Sequence, residues 1–224
     1  MADTSNSRVS VARLIFIPSV ITLAVTMLRL VGELQHWPTV LFNRSAGGGG
    51  AIVGIAWLVF VFGAYFALKL SSAGETPSSA GRTIGYAFLG LVLMIGGGFL
   101  TAPADVTHIS FPGKELVGIV LVLGAVSIPF LAWPALAKVL IAYAYAARIP
   151  VLIIMYFAIR GGWDTHYSLG PPGVEFPSFW SKFIQIAVIP QMIGWIAFTM
   201  VAGSLAGGIA VLVARRRKEA PQPA

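Results

Sequence analysis

The sequence predicts an all-α integral membrane protein with six transmembrane helices, short loops and one short interfacial helix before the last span. Three observations carry that reading. Of 224 residues, 57% are hydrophobic and 10% charged, against roughly 25% charged in an average soluble domain. The mean hydropathy is +0.85. Several apolar runs approach or exceed the ~20 residues needed to cross a ~30 Å hydrocarbon core. This composition excludes a disordered chain and a water-soluble enzyme.

A polar tail, residues 1–10, precedes the first expected span, Val11 to Val31. That span lacks the small-residue cleavage site of a signal peptide and is expected to be retained. The second is expected from Gly49 to Leu70 and the third from Thr83 to Thr101, joined by the polar linker SSAGETPSSAG. The 44 residues from Leu116 to Ile159 would reach roughly 66 Å as one helix, twice the bilayer core. They must double back at Ala132-Trp133-Pro134, because proline lacks the helical donor and pushes its predecessor out of the α region. Spans four and five are therefore Leu116 to Trp133 and Ala135 to Ile159. Pro190 divides the last apolar run into an interfacial helix, Ser178 to Ile189, and a sixth span, Gln191 to Val213. A basic tail, residues 214–224, follows, so residues 11–213 form a single transmembrane domain.

Lysine and arginine placement sets the orientation. With the N-terminus inside, the cytoplasmic side collects Arg8, Arg13, Lys69, Arg82, Lys138 and Arg215 to Lys218, nine in all, against Arg29, Arg44, Lys114, Arg160 and Lys182 outside. Both termini are then cytoplasmic in a multi-pass cell membrane protein. The net charge of +7 and pI near 10.1 reflect this anchoring on anionic lipid rather than nucleic-acid binding, which needs an exposed basic face. The expected partners are the bilayer and a membrane-protein partner or a second copy of the chain.

No cysteine is present, which removes disulfides, thiolate metal sites and thiol nucleophiles. Gly47 to Gly50 lack the following Gly-Lys-Ser/Thr of a phosphate loop. Gly50-x-x-x-Gly54 and Gly203-x-x-x-Gly207 fit the small-residue motif of packed membrane helices, within the bundle or, for Gly203 and Gly207, between copies. Ser204 has no histidine at its depth, and no span carries a histidine to hold haem. No motif names a cofactor.

Each of the three histidines follows an acid: Glu33 before His36, Asp105 before His108, Asp164 before His166. Imidazole with carboxylate suits a divalent metal, and all three pairs fall in outer loops, where they otherwise serve as solvated or interfacial polar residues. The Gly161–Gly173 loop, rich in turn residues and aromatics, is a capping segment or a lid.

Arg148 is the most informative single residue. It lies near the middle of the fifth span, too deep to snorkel, and no acid is expected at its depth. It must find neutral oxygens, water or a ligand, with Gln191 and Tyr145 as candidate companions. The leading functional reading is a non-catalytic membrane protein, either a helical subunit of a complex or a small oligomeric solute transporter. The alternative is an outer-face metal enzyme built on the histidine and acid pairs, and a third class is a pH or ligand sensor.

Overall fold

The computed structural model describes residues 9–49 and 51–219, without the side chains of Asp105, Lys218 and Glu219. Gly50 and most of the two tails lie outside that range. The described chain is helical, with α1 (Val11–Leu34), α2 (Leu58–Ser72), α3 (Ala80–Thr101), the single turn α4 (Ala104–Thr107), α5 (Lys114–Ala132) and α6 (Pro134–Gly161). The chain then runs through α7 (Phe179–Phe183), two π-helical turns and α8 (Trp195–Glu219). Five helical stretches are long and apolar enough to cross a membrane, and α2 is a shorter apolar helix. The bundle exterior is apolar too: Phe16, Val92 and Leu116 are each 66% exposed, a surface that suits lipid and not water.

Local chemistry sets most boundaries. The Ser79 hydroxyl accepts from the Arg82 amide to start α3. Trp133 leaves the helical region (φ −151°, ψ 85°), and Pro134 opens α6 at its first position, so α5 and α6 fold back as an antiparallel pair. The core lies where α2, α6 and α8 meet, around Phe66, Leu136, Leu140, Tyr143, Ile196 and Met200. Glycines let backbones touch there: a Cβ on Gly63 of α2 would stand 2.5 Å from the Gly203 carbonyl oxygen of α8. Gly207 is held equally close to Leu136 and Ala67. Gly97 and Gly118, which no helical motif singled out, form the matching close crossing of α3 and α5.

Two departures from expectation shape the interior. The second span does not begin at Gly49; helix starts only at Leu58, and α2's 15 residues reach about 22 Å. Residues 46–49 and 51–57 instead make a 3-10 turn, Ala46–Gly48, and a series of bends and turns. Gly47 and Gly48 adopt positive φ (74° and 64°), conformations that side-chain-bearing residues resist. The Ile52 and Val53 amides donate to the Val40 and Leu41 carbonyls instead of to a helical ladder. Nor does Pro190 split the last apolar run. The helical path continues from Phe179 to Arg217 by widening into π turns at Ile184–Val188 and Pro190–Gly194. A widened turn absorbs the missing proline donor without a break, and such turns recur at functional sites.

Candidate functional site

Arg29 and Glu33 stand one helical turn apart at the end of α1 and share a face. The Arg29 Nε donates to Glu33 Oε1 at 2.7 Å, and Arg29 Nη2 donates to the carbonyls of Asn43 at 3.1 Å and Gly48 at 2.7 Å. Glu33 is fully buried. Its carboxylate also receives His166 Nδ1 at 2.6 Å and the His166 backbone N–H at 2.9 Å. One helix end thus fastens the glycine loop through its arginine and the 162–178 loop through its carboxylate. Burial holds the His166 imidazole below its ordinary pKa, with the Arg29 charge adding to that shift and the Glu33 contacts opposing it. The imidazole is neutral at pH 7, and the Arg29–Glu33–His166 cluster carries no net charge.

The glycine loop needs the missing side chain at Gly48 and has little room for one at Gly54. A Cβ on Gly48 would come 2.5 Å from His166 Cδ2 and 2.7 Å from Arg29 Nη2, and one on Gly54 would meet Arg29 Nη1 at 3.1 Å. Asn43 closes the loop from the other side, donating to the Gly49 carbonyl at 2.6 Å and accepting from the Ser45 amide at 2.9 Å. Irregular backbone within a membrane protein is tolerated where it borders a cavity or is buried in protein, and this loop borders one.

That cavity measures about 590 Å³, within the range of sites that take drug-sized ligands. Its walls come from α1, the glycine loop, α6, the His166–Pro172 segment and the π turns. Arg148 lies in its lining and is only 4% exposed. The guanidinium carbon sits 4.3 Å from the centre of the Trp195 ring, a cation–π contact. Its Nη1 donates to Gln191 Oε1 over a long 3.4 Å, and Gln191 Nε2 reaches Met155 Sδ at 3.6 Å. Nε is buried with no partner. Among the described residues no carboxylate pairs with Arg148, and the residues lining the cavity include no acid. Tyr167, also in the lining, has its phenol pKa raised by burial and stays neutral.

Arg148 and Gln191 meet in the cavity. Tyr145 does not join them; three residues before Arg148, it stands roughly 60° around the helix axis from it, is 41% exposed and is not among the residues lining the cavity. Tyr167 and Trp195 take that place. Gly203 and Gly207 are spent on packing inside the bundle, against Leu140 and Leu136. Gly54 is not a helix-contact glycine, since its backbone is non-helical and its missing side chain makes room for Arg29.

The six candidate metal ligands exchange partners. Glu33 takes His166 rather than His36, and Asp164 faces His36 at 3.7 Å rather than His166. Arg44 contacts both His36 Nδ1 and Asp164 Oδ2, so a cation already stands between them. His108 follows α4 in a left-handed conformation and forms no hydrogen bond or ion pair to Glu33, His36, Asp164 or His166 among the described residues, and the backbone of Asp105 lies in α4. Among the described residues no group of three His, Cys, Asp or Glu side chains is placed to hold a metal ion.

The chain matches no family model, no curated protein and no solved structure.

Proposed function

We propose that this polytopic membrane protein is a non-catalytic solute-binding protein, a small transporter that works as an oligomer, and that its cavity takes an anion with Arg148 as counter-ion. One observation carries the reading: a buried guanidinium lines an open cavity with unused donors and, among the described residues, no acid beside it. An uncompensated buried charge is costly, and a bound anion removes that cost. A guanidinium that merely tied helices together would spend its donors on carbonyls, as Arg29 does. The protein sits with both termini in the cytoplasm, held by the Arg215 to Lys218 run.

Arg148→Leu tests the reading, because leucine inserts readily and keeps the stem's bulk. The expected result is a folded protein that has lost anion binding by at least about tenfold, the weight of one charge-assisted contact. Loss of folding with no anion bound by the native chain would reduce Arg148 to a structural tie.

A further inference from the structure

The geometry points to a more specific occupant of the Arg148 cavity: an amphiphile with a single negative charge, its head on the Nε–Nη2 edge of Arg148 and its apolar body along Val25, Val151, Met155 and Ile186. This rests on the anion reading above and adds the charge and shape of the ligand. We infer the charge from the balance of the cavity. Arg29 is already answered by Glu33 at 2.7 Å, and His166, held to Glu33 at 2.6 Å, is neutral. Among the described residues, the titratable groups facing the cavity are Arg29, Arg148, His166 and Tyr167, and of these Arg148 is the one uncompensated charge. A monoanion leaves the site neutral, whereas a dianion leaves one negative charge buried without a partner.

The head geometry follows from the guanidinium's planarity. With its carbon over the Trp195 ring, the group offers N–H donors only in its own plane. Of these Nη1 is turned to Gln191, Nε is unpartnered, and Nη2 donates to nothing among the described residues. Nε and Nη2 form the side edge that receives a carboxylate or a phosphodiester in bidentate fashion. The body follows from the walls. Apolar side chains line much of a space near 590 Å³, so a small bare anion would leave them against water and gain nothing from their burial.

The test is titration calorimetry on the full chain in a non-ionic detergent with decanoate, acetate, decanol and decanedioate. Decanoate is expected to bind one to one, and each of the other three at least about tenfold more weakly. Gln191→Glu places a carboxylate at the 3.4 Å contact, supplies the missing charge internally, and is expected to keep or raise the melting temperature while weakening decanoate at least tenfold. It therefore remains informative where Arg148→Leu fails to fold. In nanodiscs, a phosphatidylglycerol adduct seen by native mass spectrometry and displaced by decanoate would identify a lipid head as the source. Decanoate binding without such an adduct would identify a free solute. Acetate or decanedioate binding as tightly as decanoate, still lost in Gln191→Glu, would overturn the monoanionic amphiphile and leave the anion reading standing. No Arg148-dependent binding of any anion would overturn both.

Discussion

Glu33 answers to three donors, two from His166 and one from Arg29, and it is the residue on which the loops around the cavity depend. Glu33→Ala removes one side of a buried ion pair and leaves Arg29 without its acid. The expected loss is about 3–5 kcal/mol of stability, read as a lower melting temperature in detergent. His166 adds a pH dependence with a definite sign. Its pKa is lowered by folding, so the unfolded chain binds the proton first as pH falls below about 6.5. Stability from this residue is therefore complete above that pH and declines on acidification, by at most about 1.4 kcal/mol per pH unit for one proton. Melting curves between neutral and mildly acid pH should show the decline, and His166→Gln should flatten it. At this scale the site is half legible in the sequence. Arg148 and Gln191 announce themselves because a charge and an amide in an apolar run need an explanation. Trp195 and Tyr167 do not, since aromatics near span ends read equally well as an interfacial belt, and only the folded chain brings Trp195 over the guanidinium.

Among the elements, α3, α5 and α6 begin and end within three residues of expectation because their stops are local: a serine cap at Ser79 and the Trp133-Pro134 break. The start of α2 and the passage through Pro190 were not legible for the opposite reason. Whether residues 46–57 wind into a helix depends on Arg29, which reaches from another element to take the Gly48 carbonyl, and hydropathy counts apolar residues without regard to their backbone. The same distinction between local and tertiary cause applies to the glycines. Gly63→Ala would drive a Cβ to 2.5 Å from the Gly203 backbone, and separating α2 from α8 is expected to cost about 1–3 kcal/mol. Gly85→Ala in α3 meets nothing within 4 Å and is expected to stabilise by about 0.5–1 kcal/mol, since alanine favours helix over glycine. Thermal unfolding of the two variants side by side checks both signs, and equal behaviour would mean that the α2–α8 contact does not limit stability.

For the whole molecule, hydrogen bonds fix which segments share an end of the bundle, and charge bears on which end faces the cytoplasm. The Val9 amide donates to Glu75 Oε1 at 3.3 Å, Trp133 Nε1 to the Glu75 carbonyl at 3.0 Å, and Arg215 Nη2 to the Pro77 carbonyl at 3.3 Å. The start of α1, the α2–α3 linker, the α5–α6 turn and the end of α8 therefore share one end, as an even number of crossings requires. Of the five basic residues at the other end, Arg29 and Lys114 are buried, Lys114 with its ammonium on the Ala102 carbonyl at 2.7 Å. Arg44, Arg160 and Lys182 remain to face the membrane surface there, against the basic groups gathered around the termini, so the asymmetry is steeper than residue counting gives. Reporter fusions after Ser78 and at the C-terminus are expected to agree with each other and to report the cytoplasm, and one inserted after Pro172 to report the opposite side. Disagreement between the Ser78 and C-terminal reporters would break the six-helix path, whereas agreement on the outer side would keep the path and reverse the charge reading. In that reversed case the loops that roof the Arg148 cavity would face the cytoplasm, and the anion would reach it from within the cell.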